Sequence, residues 1–113
     1  MAAPRFIRSL TEAIMLSKNL IFLDLSWSRL FPKDLATLSG VLSNGAWSLR
    51  NLNLSYNKLE FSQRSQDRMY SQLFMDNIEK FFWEALFINH VNFSGMNLNE
   101  EQVKRMLDIF KQC

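Results

Sequence analysis

Residues 49–59 read Leu-Arg-Asn-Leu-Asn-Leu-Ser-Tyr-Asn-Lys-Leu, a stretch in which large apolar residues alternate with polar ones. Leu52 and Leu54 are two residues apart, so in a strand both side chains point to the same side. Asn51 and Asn53 point to the opposite side. The stretch therefore predicts a short strand with one buried face and one polar face.

The same frame of apolar positions occurs in two other places along the chain. Residues 20–30 repeat it 29 residues upstream, with Ser28 where the central copy has Asn57. A more degenerate copy begins at Ile88, 39 residues after Leu49. One such strand cannot bury its apolar side alone, so the three copies predict strands that pair into a parallel sheet with a shared core.

Between the copies the apolar period changes from 2 to 3.6, which indicates helices. We therefore interpret the chain as one domain that opens with a helix and continues with three strand–helix units. A polar stretch interrupts the second unit, and whether it is ordered stays open at this point. The domain is residues 1–113, the helix 5–16, the units 20–48, 49–87 and 88–113, and the polar insertion about 61–71.

The frame at 20–30 and 49–59 resembles leucine-rich-repeat proteins, most closely the ribonuclease-inhibitor-like class, over nearly the whole chain. Leu-Thr-Glu-Ala-Ile at 10–14 resembles the helix-end pattern of that class. The resemblance implies an α/β fold, a right-handed leucine-rich-repeat solenoid with a short parallel sheet on its concave side and helices on its convex side. It also implies protein binding on the concave side, although such proteins share a mode of binding and not a partner.

Three repeats are fewer than such arrays usually have, and neither end resembles a dedicated polar cap. The N-terminal helix and the last helix could shield the ends of the core. Alternatively, the strand at residues 21–26 leaves an open sheet edge that a neighbouring chain could extend, as expected for a fragment of a longer array or a subunit of a larger assembly.

Charge and composition limit the classes of partner. The 13 basic and 11 acidic side chains are scattered and leave a net charge of +2, so the charge pattern does not favour nucleic acid as a partner. No apolar stretch is long enough for a membrane span, and the first residues do not resemble a secretory signal. The chain has one cysteine, Cys113, which favours a reducing compartment, the cytoplasm or alternatively the nucleus.

The sequence offers no pattern typical of catalysis. His90 is the only histidine, and no cysteine or pair of carboxylates lies at metal-ligand spacing from it. Three glycines are too few and too dispersed for a phosphate-binding loop. We therefore expect no catalytic residues, no metal, no cofactor and no small-molecule substrate.

The strand pattern predicts which side chains form a partner-binding surface. They are the polar-face residues of the three strands and the aromatic residues at two strand exits, since aromatic side chains dominate binding energy at interfaces. They are Phe22, Asp24, Trp27, Asn51, Asn53, Tyr56, His90 and Asn92. The polar insertion offers an alternative site, formed by Arg64, Asp67, Arg68 and Tyr70.

We therefore expect a non-catalytic protein–protein interaction module, or a structural subunit of a larger intracellular assembly. It would bind through the concave strand face, with the open sheet edge as a further binding site. One alternative is a regulator that activates a nucleotide-hydrolysing partner through a loop arginine such as Arg29. Another is a nucleic-acid-associated subunit that uses Arg29, Arg50, Lys58, Arg64 and Arg68.

Overall fold

The structure is a computed structural model that describes residues 4–17, 19–59 and 65–112. Within these ranges helices and short strands alternate along the chain, beginning and ending with a helix. The elements are α1 (Pro4–Leu16), β1 (Phe22–Asp24), α2 (Pro32–Ser43), β2 (Asn51–Asn53), α3 (Ser65–Glu84), β3 (His90–Asn92) and α4 (Glu100–Gln112).

The three strands form one parallel sheet in the order β1-β2-β3. Leu23, Leu52 and Val91 are register partners in its middle row. Leu52 is fully buried, because alternate side chains of a strand point to opposite faces and this face packs against the helices. The other face carries the polar residues of the strands.

The helices α2 and α3 supply most of the core above the sheet. Leu35, Leu38 and Leu42 recur at helical spacing on α2 and are fully buried, as are Phe74 and Ile78 on α3. Each such burial stabilises the fold by roughly 1.5–3 kcal/mol. The buried apolar side chains of the described residues form one continuous cluster that extends from α1 to α4.

The predicted leucine-rich-repeat solenoid is wrong, because the chain is a small compact α/β body with an open three-stranded sheet. Its principal extents are 37 × 36 × 20 Å, and its Cα radius of gyration of 13.1 Å equals that of an ordinary globular domain of this length, about 13 Å. Stacked repeats need units of similar size, whereas α3 has 20 residues and α2 has 12. The helices and the sheet enclose one shared core, and the expected array with concave and convex sides is not indicated.

The polar stretch interpreted as an insertion is helical from Ser65 onward, because α3 begins there. The hydroxyl of buried Ser71 donates a 2.6 Å hydrogen bond to the carbonyl of Leu59, which joins α3 to the end of the β2 segment. The stretch therefore contributes the first turns of a core helix.

The helix α4 is held at its start and on one side. The Asn99 backbone N–H donates to Gln102 Oε1 (2.9 Å), and the Gln102 N–H donates to Asn99 Oδ1 (2.8 Å), a reciprocal cap. Arg105 donates to Asp76 (2.8 Å) and to Glu79 (3.1 Å) on α3. Its burial opposes the charge, but these two carboxylates raise the pKa of Arg105 overall.

Candidate partner-binding surface

The strand residues predicted to bind a partner lie together on one face of the sheet, opposite the face that buries Leu23 and Leu52. Phe22, Asn51 and His90 are register partners in one row. Asp24, Asn53 and Asn92 are register partners in a second row, two residues further along each strand. The two rows form a continuous surface in which Phe22, Asp24 and His90 are exposed and the asparagines half-buried.

The row of Asp24, Asn53 and Asn92 has a structural task of its own. Asp24 Oδ1 accepts hydrogen bonds from the backbone N–H (2.9 Å) and the hydroxyl (2.7 Å) of Ser26. Asn53 Oδ1 likewise accepts from the backbone N–H and the hydroxyl of Ser55, whereas Asn92 Oδ1 accepts from the backbone N–H of Ser94. The row therefore closes the three strand exits, and this use of its oxygens weakens the case for direct partner contact.

These hydrogen bonds also affect the charge of Asp24. The backbone N–H and then the hydroxyl of Ser26 favour the ionised carboxylate and lower the pKa of Asp24 below its usual range. The surface therefore carries a negative charge at this position at neutral pH.

Trp27 and Tyr56, predicted as aromatic contact residues, stack on each other at the exits of β1 and β2. Their ring centroids are 4.1 Å apart and their planes differ by 9°. Although stacked, Trp27 remains 71% exposed and Tyr56 45% exposed. A large planar apolar surface therefore faces the solvent beside the polar rows.

The backbone beneath these rings is in the left-handed region, which disfavours side chains. Trp27 (φ 58°), Tyr56 (φ 61°) and Gly95 (φ 68°) occupy equivalent places after the three strands. Glycine adopts this conformation freely, whereas other residues require roughly 1–3 kcal/mol. Gly95 has a second reason to be glycine, because a Cβ there would overlap the Tyr56 ring. Two of the three exits thus carry large rings where the backbone favours glycine.

The stacked rings border a cleft of about 550 Å³ that also contains two cations. Arg29 and Lys58 line it with Phe31 and Gly95, and no acidic side chain of the described residues does. Neither cation forms an ion pair within the described part of the chain. We call this region the strand-exit cleft; it combines an apolar plane with uncompensated positive charge.

The alternative site lies only partly within the described residues. Arg64 is outside them, while Asp67, Arg68 and Tyr70 lie in the first turns of α3. Arg68 lines a depression between α3 and the start of α4, together with Gln72 and Glu101. Arg68 is not among the residues that line the strand-exit cleft.

The described residues include no group of three histidine, cysteine, aspartate or glutamate side chains able to hold a metal ion. In the same ranges, no helix combines the length and apolar character needed to cross a bilayer.

Two residues that line the strand-exit cleft were not predicted from the sequence. Gly95 is one, although its position equivalent to Trp27 and Tyr56 is visible in the spacing of the three copies. Phe31 is the other, and no sequence signal distinguishes it from a core residue at a helix start.

Comparison with protein-family models, with curated proteins and with solved structures found no match in any of the three. The resemblance to leucine-rich-repeat proteins therefore has no support from a relative, and inferences about function depend on the residues of this chain.

Proposed function

We propose that this chain is a non-catalytic protein-binding module that contacts its partner through the strand-exit cleft. The observation that carries the proposal is the exposed stack of Trp27 on Tyr56, built on left-handed backbone. Folding alone favours glycine at these positions, as at Gly95. We therefore attribute the presence of these two rings to contact with a partner.

The energetics of interfaces support this assignment. Tryptophan, tyrosine and arginine are the residues most enriched among those that dominate binding energy, and the cleft holds one of each in Trp27, Tyr56 and Arg29. Stacking holds the rings in place, so little conformational entropy is lost when a partner covers them. Arg29 and Lys58 favour a partner segment with a carboxylate beside an apolar group.

The proposed setting is a multi-subunit assembly in a reducing compartment, the cytoplasm in the first instance. Large apolar side chains are exposed near both outer strands, including Ile21 beside β1 and Leu86 before β3, and such surfaces are typical of interfaces. The one cysteine of the chain has no second cysteine with which to form an intramolecular disulfide.

A paired substitution tests the proposal. The double variant Trp27→Gly with Tyr56→Gly removes the rings and suits the left-handed backbone, so it is expected to fold. Affinity capture from native lysate followed by mass spectrometry should lose specific proteins that the wild-type chain retains. Trp47→Ala, which removes a partly exposed tryptophan next to α2, is the matched control and should retain them. Identical captured proteins for the wild type and the double variant would refute the proposal.

The cleft also favours a second candidate, single-stranded nucleic acid. Exposed aromatic rings beside cations are the elements that such proteins use to stack bases and bind phosphates. Fluorescence anisotropy with a labelled oligo-dT probe separates the two candidates. Binding that requires Trp27 and weakens steeply with salt would favour nucleic acid, whereas no binding at low salt would remove it.

A further inference from the structure

A second surface lies at the opposite edge of the sheet from β1. Beside β3 the chain forms a groove of about 670 Å³ whose lining is apolar apart from Asn89. Trp83, Leu86, Ile88, Val91 and Phe110 contribute to it, and no charged side chain does. We call this the β3 groove.

The rim of the β3 groove exposes side chains that water solvates poorly. Leu86 is 83% exposed and Trp83 is 51% exposed. Both lie where α3 ends and the chain turns toward β3. Single exposed apolar residues are ordinary, but several around one groove are typical of a binding surface.

The hydrogen-bond pattern of β3 shows what its outer edge offers. His90 N–H donates to the carbonyl of Arg50 (3.2 Å), and Leu54 N–H donates to the carbonyl of Asn92 (2.9 Å), so His90 and Asn92 face β2. In a parallel sheet, alternate residues direct their backbone groups to opposite sides. The N–H and carbonyl of Val91 therefore face away from β2, and no strand of the described residues pairs with that edge.

We propose that the β3 groove binds an extended, apolar peptide segment of a partner protein as a fourth strand beside β3. Val91 lines the groove and also belongs to the open edge of β3. One occupant must therefore fill the groove and pair with the backbone of Val91. An extended chain pairs its backbone with Val91 and places every second side chain toward the groove. A helix or a small apolar ligand would fill the groove but leave the backbone groups of the edge unpaired.

A second copy of this chain fits the edge less well than a peptide does. Pairing its β1 with β3 would bring its α1 and the α4 of the first copy beside the same pair of strands. Paired strands are about 4.8 Å apart, whereas each helix is about 10 Å across. A second copy would have to fit both helices at one pair of strands, whereas a single extended segment brings no helix with it.

This proposal does not depend on the strand-exit cleft. Its test compares substitutions at the two outer strands of the sheet, β3 and β1. Val91→Pro removes the outward N–H and leaves the groups of His90 and Asn92 that pair with β2. Phe22→Pro makes the same change at β1. Leu25 N–H donates to the carbonyl of Asn53, so the backbone groups of Leu25 and Leu23 face β2. Those of Phe22, between Ile21 and Leu23, face away from β2. Leu86→Ser alters the exposed rim of the groove with little effect on folding.

The probe is a phage-displayed library of short random linear peptides, selected on the immobilised full chain. Enriched peptides should carry large apolar residues at every second position. By fluorescence anisotropy, a synthetic copy of the most enriched peptide should bind Val91→Pro and Leu86→Ser about tenfold more weakly than wild type. It should bind Phe22→Pro and the Trp27→Gly, Tyr56→Gly variant as tightly as wild type.

Three results would overturn the proposal. They are equal affinity for Val91→Pro and the wild type, apolar spacing of three and four in the enriched peptides, and no enrichment at all. Loss of binding by the Trp27→Gly, Tyr56→Gly variant alone would instead assign the peptide to the strand-exit cleft. The experiment therefore distinguishes failure of the β3-groove proposal from failure of the proposed function.

Discussion

Asn57 shows how one buried polar side chain holds two strand exits together. Its Oδ1 accepts a hydrogen bond from Leu30 N–H (2.9 Å), and its Nδ2 donates to the carbonyls of Leu25 (2.9 Å) and Leu54 (2.9 Å). Two of these partners follow β1 and one follows β2. A fully buried amide with complete hydrogen bonding therefore links neighbouring units at the edge of the cleft.

Asn57→Ala should lower the free energy of unfolding by about 3 kcal/mol, because it leaves one buried N–H and two buried carbonyls without this partner. Urea denaturation followed by tryptophan fluorescence measures the change. Asn51→Ala, on the open face of the sheet, is the control and should cost under about 0.5 kcal/mol. Equal losses in the two variants would show that Asn57 does not have this linking role.

Asp24 makes stability depend on acidity in a defined direction. Its pKa is lowered in the folded chain by the Ser26 hydrogen bonds, so its contribution is complete above the unfolded value, about pH 4. It is lost as the pH falls through the lower folded pKa. Asp24→Asn preserves the acceptor oxygen, as Asn53 and Asn92 do, and removes the titration.

The stability advantage of wild type over Asp24→Asn should therefore shrink as the pH falls below about 4. Urea unfolding across this range, with both proteins in the same buffers, is the measurement. Parallel pH profiles would show that the Ser26 contacts do not favour the charged form.

At the scale of elements, α4 depends on its cap more than α2 and α3 depend on theirs. Of the apolar residues on α4, Met106 and Ile109 are buried, whereas Val103, Leu107 and Phe110 remain substantially exposed. In contrast, α2 and α3 bury their apolar faces against each other and the sheet. Local interactions at Asn99 and Gln102 therefore carry a larger share of the stability of α4.

Gln102→Ala should destabilise α4 by about 1 kcal/mol, since it removes one half of the reciprocal cap. Hydrogen exchange should quicken in the amides of α4 and stay unchanged in α2. Lys104→Ala, at an exposed position on the same helix, is the control. Uniform acceleration across both helices would mean that α4 does not open separately.

At the scale of the whole molecule, a single core predicts a single unfolding transition. The buried side chains of α2, α3 and the sheet belong to one cluster, and the chain has the radius of gyration of a globular domain. A repeat array, by contrast, can lose its units separately. Compactness thus has a consequence that thermodynamic measurements can detect.

Urea unfolding should give coincident curves by tryptophan fluorescence and far-ultraviolet circular dichroism. Leu38→Ala, which truncates a fully buried side chain of α2, should shift both curves equally and cost about 2–5 kcal/mol. Two transitions, or a shift in one signal alone, would contradict a single cooperative core.

Local sequence is sufficient to predict a feature that depends only on residues close together in the chain. The alternation around Leu52 and Leu54 predicts the strand and its polar face, and the spacing of the three copies predicts which residues share a row. The start of α3 was harder to predict, because the residues from Ser65 to Tyr70 other than Met69 are polar and their helix is stabilised by a contact distant in sequence, Ser71 with Leu59. Arg29 and Lys58 are recognisable as cations, but not as members of one cleft.

The sequence by itself determined the strands, their polar rows and the aromatic residues at two exits, because side-chain direction follows the two-residue period of a strand. Only the tertiary structure decided that these units form a compact body and not a solenoid. That outcome depends on the unequal lengths of α2 and α3 and on one shared core, neither of which a local period encodes. The stack of Trp27 on Tyr56, the cations beside it and the open edge at Val91 likewise arise only when distant segments pack together.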